Sequence, residues 1–157
     1  MTVATERRTG SPPYEAYAVI AGVFVGGLGV AGVAARILDR NPACQSALDL
    51  AVLSAASFKA ARTLAHDEVT SFLREPFVEG EAHEGDESPV TTGDYRQAIG
   101  ELVTCSRCGG TWAAAFLAST QILAPRFGRL LTWSLAAAGI NDWLQAGFAA
   151  LTEKAND

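Results

Sequence analysis

Residues Ala16–Ala35 read AYAVIAGVFVGGLGVAGVAA, twenty consecutive residues without a charged side chain. An α-helix rises about 1.5 Å per residue, so this stretch is long enough to cross the roughly 30 Å hydrocarbon layer of a membrane. A cleaved signal peptide is the competing interpretation, but the stretch is longer than the roughly 7 to 15 apolar residues of such peptides. The sequence therefore predicts a first transmembrane helix.

The composition of the whole chain agrees with a membrane protein. Of its 157 residues, 49% are apolar and 18% are charged, and the mean hydropathy is +0.16, which excludes an extended disordered chain. Three cysteines are too few for a disulfide scaffold. The formal charge of −5 argues against a nucleic-acid binder.

Three further apolar stretches follow the first. Leu130–Leu151 is long enough to span and has Asp142 as its only formal charge, and Gly109–Ala124 is uncharged but shorter. The residues from Pro125 to Arg129 predict a tight polar connection between these two stretches, which would form a helical hairpin.

The remaining stretch, Ser46–His66, gives the weakest membrane signal because Asp49, Lys59 and Arg62 interrupt it. An amphipathic helix lying on the membrane surface is an alternative. We favour a spanning helix, because residues 50–58 are uncharged and Lys59 and Arg62 can extend towards the interface. The predicted fold class is therefore all-α, a polytopic membrane helical bundle with about four transmembrane helices.

The predicted organisation is a polar leader, a membrane domain and a short tail. The leader covers residues 1–15, the membrane domain 16–151 and the tail 152–157, with helices at about 16–35, 46–66, 106–124 and 130–151.

The region 67–105 between the second and third helices is predicted to hold short interfacial helices and one acidic loop. Asp67 is a candidate helix cap, and residues 94–103 indicate a short amphipathic helix. Glu79–Asp94 contains six carboxylates and no Lys or Arg, which predicts a solvated, mobile loop. Its spacing does not fit a calcium loop.

The distribution of Lys and Arg predicts the orientation. Four spans place both termini and the long middle loop on one side, where eight basic residues lie: Arg7, Arg8, Lys59, Arg62, Arg74, Arg96, Arg107 and Lys154. The other side has four: Arg36, Arg40, Arg126 and Arg129. The excess favours a multi-pass protein of the cell membrane with a cytoplasmic N-terminus.

Cys105 and Cys108 form a C-S-R-C motif at the start of the third helix. This spacing suits a redox disulfide or half of a zinc site. His66 and His83 are weak candidates for completing a metal site, because they lie on the same predicted side, whereas Cys44 lies on the opposite one. A structural thiol pair is the third interpretation, and we favour it because a single CxxC is a weak motif.

Asp142 lies near the centre of the last helix, where a carboxylate costs about 2.5 to 3.5 kcal/mol on insertion scales. Lys59 and Asp142 fall at similar depths on two helices that run in the same direction. We therefore predict that Lys59 or Arg62 pairs with Asp142. Such a pair either fixes the register of the helices, which we favour, or forms part of an ion or proton path.

The segments HDEVTSFLREPF, AIGELVTCSRCGGTWAAA and AAAGINDWLQ resemble the bacterial membrane-protein family known as domain of unknown function 1360. The residues that carry the resemblance are His66, Asp67, Arg74, Pro76, Phe77, Glu101, Cys105, Cys108, Gly110, Trp112, Asn141, Asp142 and Leu144. Asn141 replaces a small residue of the family pattern. The resemblance covers about 47–151 and implies a membrane location, but no activity, because the family is uncharacterised.

These observations predict a non-enzymatic structural or interaction component of the membrane. Its candidate functional residues form a polar cluster of Lys59, Arg62, Asp67, Arg74, Glu101 and Asp142. The lipid bilayer is the expected partner, together with a membrane protein or a second copy of the chain, and no nucleic acid. The sequence assigns no catalytic residue and specifies no cofactor. A thiol-redox or metal-binding protein and a transporter or channel subunit are the alternatives.

Overall fold

The computed structural model describes residues 12–40, 45–80 and 85–156. Arg7, Arg8, Cys44 and His83 lie outside the described residues. In chain order, the helices and strands are α1 (Tyr14–Ile37), α2 (Ala47–His66), a 3₁₀ turn (Glu68–Thr70), α3 (Ser71–Arg74), a second 3₁₀ turn (Glu75–Phe77), β1 (Val78–Glu79), β2 (Ser88–Pro89), α4 (Tyr95–Thr104), α5 (Ser106–Leu123) and α6 (Pro125–Asn156).

Helix α1 contains the whole of the predicted first span and extends two residues beyond it at each end. A Schellman motif ends the helix, because the Arg40 amide donates to the Ala35 carbonyl at 2.8 Å and the Asp39 amide donates to the Arg36 carbonyl at 3.3 Å. Asp39 adopts the left-handed conformation with φ of 52°. This reversal turns Arg40 back towards the end of the helix.

Helix α2 is the central element of the bundle and packs against both α5 and α6, whereas α1 lies beside α5 and α4. A capping box starts α2: the Asp49 amide donates to Ser46 Oγ at 3.2 Å, and the Ser46 amide donates to Asp49 Oδ2 at 2.9 Å. The contacts between helices show that α1 and α5 run in one direction and that α2 and α6 run in the other.

The core between α2, α5 and α6 combines alanines with leucines. Ala56, Leu117 and Ala136 form its centre. At the crossing of α2 and α6, a Cβ on Gly139 would lie 3.1 Å from the Ala55 carbonyl oxygen and 3.2 Å from Lys59 Cβ. The close approach of these two helices therefore depends on the missing side chain.

The connection between α5 and α6 is shorter than predicted. The expected polar connection from Pro125 to Arg129 is wrong, because Ala124 alone separates the two helices and Pro125 is the first residue of α6. Proline suits the first helical position, where its missing amide hydrogen is not needed. Helix α6 therefore runs 32 residues instead of the predicted 130–151. A Cβ on Gly128 would lie 2.5 Å from the Gln121 backbone, so a glycine permits this tight turn.

The described residues between α2 and α5 include a helix and a short ladder. Helix α4 confirms the short helix expected at 94–103. Val78 pairs with Pro89 and Glu79 with Ser88 in a two-residue antiparallel ladder, so the ends of the acidic loop are held together. Over the residues that the structure describes, the fold is all-α apart from this ladder.

Among the described residues, α1 is the one helix that is long and apolar enough to cross a membrane by length and composition. It lies near the N-terminus, and 6% of its most apolar window is buried inside the protein. The charged residues of α2 and the polar Asn141, Asp142 and Gln145 of α6 lower the apolar character of those helices.

Candidate functional site

An ion pair joins α2 to α6. Lys59 Nζ donates to Asp142 Oδ2 at 2.8 Å, which confirms the pairing predicted for these two side chains. Asp67 Oδ2, just beyond the end of α2, lies 3.8 Å from the same ammonium. The Lys59 side chain is 19% exposed, against 39% for Asp142. One ammonium thus lies between two carboxylates from different parts of the fold.

Arg74 has a fully buried side chain that terminates α2. Its guanidinium donates to the Leu64 carbonyl at 2.7 Å, one of the last carbonyls of α2, which the helix itself leaves without a donor. It also donates to the Asp67 carbonyl at 3.1 Å, which accepts from Thr70 as well. It also donates to Thr70 Oγ1 at 2.9 Å and forms a salt bridge with Glu87 Oε2 at 2.7 Å. Arg74 therefore ties the acidic loop to the end of α2.

Glu101 belongs to a second polar group, at the junction of α1 and α4. Tyr17 of α1 donates its hydroxyl hydrogen to Glu101 Oε2. Gln97 Nε2 donates to Glu101 Oε1 at 3.0 Å, and the Gly93 amide donates to Gln97 Oε1 at 2.9 Å. These bonds connect the start of α1 to α4 and to the loop before it.

Cys105 and Cys108 are free thiols at the start of α5. Cys105 is the N-cap, and its Sγ accepts a hydrogen bond from the Cys108 amide at 3.3 Å. Hydrogen bonds from the thiol and amide of Cys108 lower the pKa of the Cys105 thiol. The two thiols thus lie next to each other at the start of α5, without a disulfide between them.

The other predicted site residues are not brought together. In the described part of the chain, Arg62 is exposed and has no hydrogen bond or salt bridge to another side chain, and His66 is also exposed. The described residues contain no group of three or more His, Cys, Asp or Glu that could hold a metal ion. Of the four candidate metal ligands, His83 lies outside these residues.

Sequence reasoning missed two residues that complete these networks. Glu87 is one of several carboxylates in the acidic loop, and nothing in their spacing distinguishes it as the partner of Arg74. Tyr17 lies 84 residues from Glu101, and its position in an apolar helix gives no signal of the contact. The burial of Arg74, which calls for a partner among the carboxylates of the loop, is visible in the structure and not in the sequence.

The fold and these networks define an all-α bundle in which polar side chains connect the ends of the helices. The chain belongs to the family described as protein of unknown function (DUF1360), whose sequence profile matches residues 52–148. The matched segment includes Lys59, Arg74, Cys105 and Asp142 and excludes α1. The resemblance inferred from the sequence is thus confirmed.

A curated relative supports the same assignment. The chain is 32% identical over 112 residues to the sporulation protein YjcA of Bacillus subtilis (strain 168), in an alignment that covers 62% of this chain and 95% of the relative. No solved structure shows a significant match to this chain.

Proposed function

We propose that this protein is a multi-pass membrane protein that acts as a non-enzymatic structural or interaction component, with α1, α2, α5 and α6 crossing the bilayer. The observation that carries the proposal is the distribution of side chains, since small residues fill the interior and large apolar residues face outwards. Ala56, Ala61 and Ala136 are at most 3% exposed, whereas Trp143 is 69% and Phe148 is 73% exposed.

This arrangement is unfavourable in water and favourable in lipid. Large exposed apolar side chains are numerous on α1, α2 and α6, and α5 contributes one: Val19, Val23, Val25, Leu28, Val30 and Val33 on α1, Leu48, Leu50 and Phe58 on α2, Phe116 on α5, and Leu130, Ile140, Trp143, Leu144, Phe148 and Leu151 on α6. Soluble monomers rarely expose large apolar patches. Membrane helices instead pack through small residues and turn their large apolar side chains to the acyl chains.

The polar contacts support the same architecture. The Lys59–Asp142 pair satisfies an acid that would otherwise be costly within the bilayer, and Gly139 allows α2 and α6 to approach beside it. We assign the pair a role in fixing the register of these helices. Its single deep acid does not form the relay of carboxylates that an ion path would use.

The proposed orientation places residues 38–46 and the α5–α6 turn on one side of the membrane. The N-terminus, the acidic loop and the C-terminus lie on the cytoplasmic side, in accord with the excess of Lys and Arg there. The partner is a membrane protein or a second copy of the chain. The open surface at Gly22 and Gly26, where no atom lies within 4 Å of an added Cβ, is suited to close approach of another helix.

Membrane fractionation tests the proposal. We expect the full chain to remain in the membrane pellet after alkaline carbonate extraction and to require detergent for a monodisperse state. A variant that removes the apolar character of α1 alone, Val23→Lys/Val25→Lys, should still pellet if α2, α5 and α6 are also inserted. Release of this variant into the soluble fraction would show that α1 is the sole anchor and would contradict the four-span architecture.

A thiol-redox role is the second candidate function, favoured by the hydrogen bond from the Cys108 amide to Cys105 Sγ. Trapping of thiols in intact cells with an alkylating reagent tests it. A disulfide fraction that changes with growth conditions would support this role, whereas thiols that stay reduced under every condition would remove it.

A further inference from the structure

A crevice of about 510 Å³ lies between the C-terminal half of α1 and the end of α5. Its inner walls are mainly apolar, with small side chains and one hydroxyl: Leu28, Ala31, Gly32 and Ala35 from α1, and Ala118, Ser119 and Ile122 from α5. Its mouth is polar and contains Arg36, Asp39 and Arg40. The crevice thus combines an apolar groove with a charged entrance.

Two features of the main chain shape this entrance. The Schellman motif turns the chain back after α1, so Arg40 lies near the end of the helix that also carries Arg36. Asp39 holds the left-handed position that glycine occupies most easily. Within residues 12–40, 45–80 and 85–156, neither guanidinium forms a salt bridge. The mouth therefore carries two arginines against one carboxylate.

We propose that this crevice binds an anionic phospholipid, with the headgroup phosphate between Arg36 and Arg40 and one acyl chain along the groove. The proposal rests on the membrane location proposed above. Leu28 lies eight residues before Arg36, which corresponds to about 12 Å along the helix. That depth fits within one leaflet, about half of the roughly 30 Å hydrocarbon layer.

The shape of the crevice and the charge of its mouth each favour an anionic phospholipid. Gly32 has no atom within 4 Å of an added Cβ, so the groove is open along α1 where an acyl chain would lie. A free phosphate ion would use the arginines alone and leave the apolar walls unoccupied. Basic pockets between membrane helices bind anionic headgroups through the same combination of contacts.

Lipid titration of the full-length protein tests the proposal. The purified chain in detergent is titrated with phosphatidylglycerol and with phosphatidylcholine, and native mass spectrometry measures the bound fraction. We expect phosphatidylglycerol to bind about thirtyfold more tightly, since each arginine near a membrane surface contributes about one kcal/mol, which is fivefold in affinity. Arg36→Gln/Arg40→Gln should abolish this preference.

Arg126→Gln/Arg129→Gln is the matched control, because it removes the same charge at the same end of the bundle and outside the crevice. Gly32→Leu keeps both arginines and fills the groove, so it should weaken binding of phosphatidylglycerol by at least about tenfold. Equal losses in the crevice and control variants would show a diffuse charge effect and overturn the proposal.

Two further results would distinguish a failure of the lipid assignment from a failure of the proposed membrane architecture. Displacement of phosphatidylglycerol by inorganic phosphate at equal concentration would identify a site for the anion alone and would overturn the lipid assignment. Carbonate extraction of each variant shows whether the chain inserts. A protein that inserts but shows no preference for phosphatidylglycerol would refute the crevice proposal and leave the membrane architecture intact.

Discussion

Loss of the Lys59–Asp142 pair should destabilise the bundle, and the two residues should be energetically coupled. The Nζ to Oδ2 distance of 2.8 Å corresponds to about 6 kcal/mol of Coulomb attraction at an effective dielectric constant of about 20. The net coupling is smaller than this value, because in the membrane the unfolded state also offers these groups other partners. Measured couplings between membrane helices reach about 1.7 kcal/mol, so we expect a coupling of about 1.5 kcal/mol.

Each single variant should lower the free energy of unfolding by more than the coupling energy of the pair. Asp142→Asn leaves the Lys59 ammonium with the more distant Asp67 at 3.8 Å, and Lys59→Met leaves the Asp142 carboxylate without its cation. Each should lower the free energy of unfolding by about 2 to 3 kcal/mol, because a charge without its partner is retained between the helices. The double variant should lose about 1.5 kcal/mol less than the sum of the two single variants.

Reversible unfolding in mixed micelles, followed by tryptophan fluorescence, measures these free energies. Trp143 is a suitable probe because its ring centroid lies 6.1 Å from that of Phe58, across the same pair of helices. Arg62→Gln combined with Asp142→Asn is the matched control and should show additive effects. Additivity within about 0.5 kcal/mol for the Lys59 and Asp142 cycle would refute the coupling of α2 to α6 through this pair.

Three other substitutions each test a separate contact of the structure. Arg74→Met should lower the free energy of unfolding by about 3 kcal/mol, because the Leu64 carbonyl loses its donor and the Glu87 carboxylate loses its cation; a loss below about 0.5 kcal/mol in chemical denaturation would contradict the capping of α2. Gly128→Ala should cost about 1 to 3 kcal/mol through the clash at the α5–α6 turn, whereas Gly147→Ala, in open space, should not destabilise the protein. Cys108→Ala removes the thiol hydrogen bond that is the largest cause lowering the pKa of Cys105 and keeps the amide hydrogen bond, so alkylation of Cys105 should require a higher pH; an unchanged pH profile of the alkylation rate would exclude the thiol as that cause.

The sequence predicts the main helices well where a local signal marks their ends. The start of α2 follows from Ser46 and Asp49, which form a capping box within four residues of each other. The start of α6 was misplaced because Pro125 ends a helix in most contexts, whereas here it occupies the first position of the next one. The pairing of Lys59 with Asp142 was predictable because helix direction and rise per residue fix their relative depths.

Contacts that depend on the tertiary fold were not predictable in the same way. The bond from Tyr17 to Glu101 depends on how α1 lies against α4, and no periodicity encodes that placement. Which carboxylate of the acidic loop pairs with Arg74 depends on the path of that loop. The β1–β2 ladder determines this path through backbone hydrogen bonds and brings Glu87 to Arg74. Backbone pairing of this kind is weakly specified by side-chain type in so short a ladder.

Topology mapping tests the central architecture most directly. In a variant without native cysteines, a single cysteine at Arg40, Thr91 or Ala124 is exposed in intact cells to a thiol reagent that does not cross the membrane. The four-span architecture predicts labelling at residues 40 and 124 and protection at residue 91 until the membrane is permeabilised. Equal labelling of residues 40 and 91 would place the two ends of α2 on one side of the membrane and contradict it.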